Sequence, residues 1–111
     1  AQPHLDIQSR LRKLNFIGHA HLTLIYALDK DEAMEVEATA VTRQSPYRFI
    51  INVGSVGQPR DRDPRACFAI WESDAGRLQH IRVSYDVQTA AAKIMDAGLD
   101  EKFARRLNAG I

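Results

Sequence analysis

Apolar and polar positions along the chain switch between two periods, and the switches mark out its elements. In the segment 5–14 apolar residues fall at 7, 11 and 14, spacings of four and three that predict a helix. Its closing turn carries Arg10, Arg12 and Lys13, cations that suit a helix C-terminus. Phe16 and Ile17 then begin a buried strand, and a second apolar run covers 22–28. The charged residues 29–32 read as a turn, and 35–41, which alternate in part, as a half-exposed strand returning as a hairpin. After the Ser45-Pro46 turn, 47–53 is the most strand-like stretch of the sequence. Residues 67–71 and 78–83 read as an antiparallel pair joined by the turn at 74–76. The end of the chain is helical over 87–97, with Gly98 as its C-cap, and Asp100 is placed to N-cap a last helix.

A helix, five or six strands mostly joined by hairpins, and two helices make an α/β chain of the α+β type, with helices expected on one face of a sheet. Residues 49–53 are apolar on both sides of their strand, so the other face of that sheet also requires a cover. The 111 residues are enough for one domain with a modest core. With 45% apolar and 26% charged residues the composition is that of an ordinary globular chain, and the formal charge of +1 gives no field favouring nucleic acid or a membrane. No apolar run approaches the roughly 18 residues of a membrane span. The single cysteine, Cys67, excludes an internal disulfide and fits a reducing, cytoplasmic compartment.

Two stretches carry candidate chemistry. Gly18-His19-Ala20-His21 follows the Phe16-Ile17 strand, and a glycine there lets the backbone turn so that both imidazoles project into one pocket. Neutral imidazole is the commonest protein metal ligand. The plainer reading is a chance His-x-His with both rings in solvent, since two ligands do not complete a metal site. The other stretch is the loop 54–65, with two glycines, two prolines, three arginines and two aspartates. Loops of that length within a compact domain are usually functional.

Taken together, Gly18-His19-Ala20-His21, Asn52-Val53-Gly54-Ser55-Val56, Gly57-Gln58-Pro59-Arg60-Asp61, Tyr85-Asp86-Val87 and the final Ala97-Gly98-Leu99 to Ala104-Arg105-Arg106-Leu107 resemble the C-terminal part of calcineurin-like metallophosphoesterases. Within that superfamily the likeness is to the small bacterial phosphodiesterase and diadenosine-tetraphosphatase-like branch, and it extends from about Phe16 to Gly110. The resemblance implies a four-layer α/β/β/α sandwich, of which residues 1–111 would form one C-terminal portion. It implies a dinuclear centre of divalent ions (manganese, iron, zinc or magnesium), with His19 ligating one metal and His21 the other, and metal-bound hydroxide attacking a phosphoester. The substrate would be a phosphorylated small molecule, a nucleotide or a phosphoprotein. The first half of such a protein would bring the Asp-x-His, Gly-Asp-x-x-Asp and Gly-Asn-His-(Glu/Asp) segments, absent here. A missing N-terminal half or a second chain would therefore supply the remaining ligands, and this chain alone should not turn over substrate. Arg60 would hold a substrate phosphate, because guanidinium pairs bidentately with phosphate oxygens, and Asn52, Gly54 and Ser55 would shape the loop beside the metals and the substrate. Val53 replaces the usual proline and Arg62 a usual glycine.

Other candidates are weaker. Asp29, Asp31 and Glu32 read as a solvated turn, and Asp61 and Asp63 as neutralised by Arg60, Arg62 and Arg65. His4 lies near the terminus, and His80 lies on an alternating strand where exposure is expected. Cys67, Phe68, Trp71 and Tyr85 read as core. The competing function is a non-catalytic binding or assembly module that keeps half of the fold. In either case an uncovered apolar sheet face favours self-association into a homo-oligomer.

Overall fold

A computed structural model describes residues 11–30 and 32–111. Its elements are β1 (Leu14–Ile17), β2 (Thr23–Leu28), β3 (Ala33–Glu35), β4 (Ala40–Thr42), β5 (Arg48–Val53), β6 (Ala66–Glu72), β7 (Arg77–Val83), α1 (Val87–Asp96) and α2 (Glu101–Ala109). The strands form two sheets. The larger has the order β1-β5-β2-β3 and the smaller β4-β7-β6. All pairings are antiparallel except that of β1 with β5.

The helix expected over 5–14 lies outside the described residues for 5–10, and its end is not helical. Leu14 opens β1 instead, in parallel register with Phe49. The competing interactions are local and specific. The Asn15 side-chain amide donates to the Arg12 carbonyl at 2.8 Å and to the Phe49 carbonyl at 2.9 Å, while the Phe49 amide donates to the Lys13 carbonyl at 2.9 Å. A helix could keep none of these, and Leu14 reaches the core from a strand equally well.

The expected strand over 35–41 is two strands in two sheets. β3 pairs with β2, whereas β4 pairs with β7. Between them the Val36 amide donates to the Ile25 carbonyl at 2.8 Å, the Ala38 amide donates to the Val36 carbonyl at 3.0 Å, and the chain crosses from one sheet to the other.

That crossing produces the core. Ile25 and Ala27 of β2, Phe49 and Ile51 of β5, Val41 of β4 and Leu78 of β7 form one buried cluster between the sheets, with Leu14, Val36 and Ala69 packed against it. Ile51 and Leu78 are fully buried, each contributing roughly 1.5–3 kcal/mol of transfer free energy. The opposite face of the larger sheet has a shallow apolar groove of about 430 Å³ lined by Ile17, Tyr26, Leu28, Ala33 and Ile50. Trp71, expected in the core, instead lies partly exposed at the strand end under the Arg43 guanidinium, 5.9 Å from its ring centre.

The helices start where aspartates cap them. Asp86 accepts from the Thr89 amide and Asp100 from the Lys102 amide, and Gly98, with φ of +77°, follows the Ala97 cap of α1. Ala91 of α1 and Ala104 and Leu107 of α2 are buried, and Gln88 donates to Asn108 across the pair at 2.9 Å. α1 and α2 pack chiefly on each other. No described helix is long and apolar enough to cross a membrane.

Candidate functional site

Because β1 and β5 run parallel, their carboxyl ends lie side by side, with Ile17 opposite Asn52. β2 begins at the same end, with Thr23 opposite Val53. The β1–β2 connection carrying His19 and His21 therefore emerges beside the start of the 54–65 loop. Carboxyl ends of parallel strands are a favoured place for ligands in open sheets.

The histidine turn is built differently from the expected glycine hinge. Gly18 has an ordinary backbone, and the left-handed residues are the histidines themselves, His19 at φ +74° and His21 at φ +61°. The Ala20 amide donates to the Gly18 carbonyl at 2.9 Å, closing a tight turn across His19. A side chain in the left-handed region costs about 1–2 kcal/mol, and such strain concentrates at functional sites. His19 is exposed and His21 half-buried.

The 58–60 segment grips His21 from two directions. The His21 Nδ1 lies 2.9 Å from the Gln58 carbonyl oxygen, and the Arg60 amide donates to the His21 carbonyl at 2.9 Å. A carbonyl only accepts, so Nδ1 carries the proton, and in the neutral ring Nε2 keeps its lone pair. This is the arrangement by which backbone carbonyls orient metal-ligating imidazoles.

Asn52, Gly54 and Ser55 shape the loop. Asn52 is buried, and its Oδ1 accepts from the Gly54 amide at 3.2 Å. The Ser55 hydroxyl accepts from the Gln58 amide at 2.9 Å, and its carbonyl accepts from the Cys67 amide at 2.9 Å. Gly54 has φ of +82°, and a Cβ there would stand 2.7 Å from Thr23 Oγ1 and 2.9 Å from Cys67 Sγ. Cys67 is buried and accepts from the Thr23 hydroxyl, as a core residue. Arg60 is exposed beside the histidine turn, its guanidinium donating to Gln58 Oε1 at 3.3 Å.

Farther along, the loop is held by ions and by the C-terminus. Asp61 accepts from both terminal nitrogens of Arg82 on β7. Asp63 binds the Arg65 guanidinium through Nη2 at 2.7 Å and Nε at 3.0 Å, with Arg82 Nε at 3.7 Å. The Arg65 hydrogen bonds, with the charge of Arg82 adding to them, hold the Asp63 carboxyl down at about 2 against partial burial. Arg62 has φ of +68°, a conformation that favours glycine, and its amide donates to the Gly110 carbonyl at 2.7 Å.

His80 is the residue the sequence misplaced. It is buried, because it shares the inner face of β7 with Leu78, and its Nε2 donates to the Asn52 carbonyl at 2.9 Å. Burial lowers its pKa, the Asn52 hydrogen bond opposing and the nearby Arg82 charge adding to the fall. The parity with Leu78 was the available signal.

Among the described residues no third His, Cys, Asp or Glu clusters with His19 and His21 to hold a metal. Two imidazoles suit borderline dications but leave most coordination positions to other ligands.

No family model matches the chain. A crystal structure of a metallophosphoesterase from Sphaerobacter thermophilus is similar over 91% of this chain, with 39% identity and a TM-score of 0.77. The chain is related to the metallophosphoesterases. It spans 43% of the Sphaerobacter metallophosphoesterase's chain. A protein of Methanocaldococcus jannaschii, itself uncharacterized, is 30% identical over 97 residues, which are 87% of this chain and 39% of that protein. The chain thus has the α+β fold of part of a metallophosphoesterase, and well under two thirds of the length of either relative.

Proposed function

We propose that this chain is the histidine-bearing part of a metal-dependent phosphoesterase. The observation that carries the reading is the strained turn, with both histidines left-handed and His21 oriented by the Gln58 carbonyl so that Nε2 is free to ligate. His19 and His21 would each bind one of two divalent ions, and the other ligands, a bridging carboxylate included, would come from polypeptide beyond this chain. Ions held there would supply Lewis-acid polarisation of a phosphoryl oxygen and acidify water. Arg60 would then lie beside the metals, with a guanidinium able to pair with phosphate. The substrate class, on this reading, is a phosphodiester, a nucleotide or a phosphoprotein. A non-catalytic assembly module remains the second reading, favoured by the lack of a third ligand among the described residues.

Manganese titration of the purified chain, followed by NMR of the imidazole resonances, separates the two. The phosphoesterase reading expects selective paramagnetic broadening at His19 and His21, and in His21→Ala continued broadening at His19, whose ion is a different one. It also expects bis(p-nitrophenyl) phosphate to stay intact with this chain alone and to be hydrolysed once a polypeptide bearing the acidic ligands joins it. Unbroadened rings at millimolar manganese would leave the assembly module.

A further inference from the structure

The inner face of β7 changes character along its length. Leu78 is sealed in the core, His80 reaches the Asn52 carbonyl, and Arg82 reaches Asp61 and Asp63. Three successive inward positions thus run from the core to the back of the loop. His80 is the middle link and crosses from the smaller sheet to the larger. Its target is the last point at which β5 is still a strand opposite β1, since Asn52 pairs with Ile17 and its side chain caps Gly54. From there the chain runs through Ser55 and Gln58 to the two contacts that hold His21.

The other ring nitrogen, His80 Nδ1, is buried without a hydrogen-bond partner among the described residues. Donation from Nε2 makes Nδ1 the unprotonated nitrogen of the neutral ring. A proton added there would be a buried cationic donor with no acceptor, the costly case for a polar group. The charged groups around it are Arg82 on the same strand and Asp61 from the loop, which oppose one another. Just before β4 the Thr39 carbonyl accepts the His80 amide, and β6 places Ala69 opposite His80 and the buried Cys67 thiol opposite Arg82.

We propose that His80 is a positioning residue of this site: its neutral imidazole, acting through the Asn52 carbonyl, holds the 54–60 loop against the histidine turn. The proposal rests on the phosphoesterase reading for its purpose, while the mechanical claim stands on the contacts alone. Burial disfavours the charged ring, so His80 takes up its proton only at a pH below the ordinary histidine range. That proton falls on Nδ1, where no acceptor among the described residues meets it, so that acid disturbs the ring that holds the loop.

The test is a pH titration of the metal-free chain by amide NMR, comparing wild type with His80→Gln and His80→Ala. Glutamine keeps a neutral donor and does not titrate. In wild type the Gly54, Ser55 and Arg60 amides should shift together with the His80 ring. In His80→Gln their neutral-pH positions should be retained and that transition lost, while the His19 and His21 rings still titrate. In His80→Ala the same amides should be displaced at neutral pH with the Ile51 and Leu78 methyl signals unchanged. Manganese affinity at His21 should then fall by about tenfold in His80→Ala and recover in His80→Gln, the scale of losing an orienting contact behind a metal ligand. A loop transition that survives in His80→Gln overturns the proposal, and so do loop amides unmoved in His80→Ala. If the alanine variant unfolds, the glutamine comparison decides by itself. Wild-type rings blind to manganese would defeat the phosphoesterase reading and leave the loop result to be judged separately.

Discussion

Gly54→Ala is the substitution whose cost can be worked out most directly. The backbone there has φ of +82°, and the new methyl would stand 2.7 Å from Thr23 Oγ1, 2.9 Å from Cys67 Sγ and 3.0 Å from Cys67 Cβ. The left-handed conformation costs alanine about 1–2 kcal/mol. Forcing a methyl into a packed site adds about 1–3 kcal/mol, since Cys67 is buried on β6 and neither neighbour is the free end of a long side chain. The expected loss is about 2–5 kcal/mol, a large share of the roughly 5–15 kcal/mol by which domains are stable. Urea unfolding followed by the fluorescence of the single tryptophan would measure it, with an unchanged slope confirming that only stability moved. The two contributions separate in a double-mutant cycle with Thr23→Ala. Removing the hydroxyl relieves the closest contact, so the pair should cost less than the sum of the singles by about 0.5 kcal/mol or more, while the backbone strain persists. A loss below about 1 kcal/mol in the single variant, or strict additivity in the cycle, would refute the reasoning.

Arg82→Ala leaves Asp61 half-buried without its partner and should destabilise the chain by about 1–3 kcal/mol, read in the same urea assay, with the largest amide shifts at residues 61–63. The Asp63 carboxyl, held at about 2 by Arg65, binds its proton less readily folded than unfolded, so it contributes stability above the unfolded pKa that is lost as pH falls from about 4 towards 2. With Arg65 half in solvent that contribution is about 0.2–1 kcal/mol, and carboxyl NMR of Arg65→Gln should find Asp63 back near the ordinary carboxylate range. The apolar groove of Ile17, Tyr26 and Ile50 should make the isolated chain self-associate as its concentration rises. A single monomeric boundary in sedimentation velocity at every concentration would contradict that, and Tyr26→Thr should weaken the association.

Much of the fold was legible because local pattern and final structure agree. The apolar run at 47–53 located β5, the paired runs around the turn at 74–76 located the β6–β7 hairpin, and Gly98 and Asp100 marked the end of one helix and the start of the other. The failures have one cause, that partners distant in sequence outweigh local periodicity. The 7, 11, 14 spacing looks helical until the β5 ladder claims Leu14, and 35–41 alternates smoothly through the point where the chain changes sheets. The same holds at the site. His19 and His21 were visible as a local motif, but their left-handed backbones were not, because glycine stands next to them and is the usual residue for such a turn. His80 and Arg82 were invisible as site-builders, since what they hold lies 28 and 21 residues away.

The parallel pairing of β1 with β5 also sets an order of events in time. β1 is four residues long, lies at the edge of its sheet, and finds its partner only after the whole of β2, β3 and β4 has been made between them. Contacts of that sequence separation form late, and short edge strands open early in native-state exchange. The β1 amides should therefore be less protected than those of the interior strands β5 and β2, which outlast them. The histidine turn is tethered between a strand that lets go readily and one that does not. Its geometry is then rebuilt each time β1 redocks, and a ligand bridging the turn and the 54–60 loop would slow that breathing as it bound.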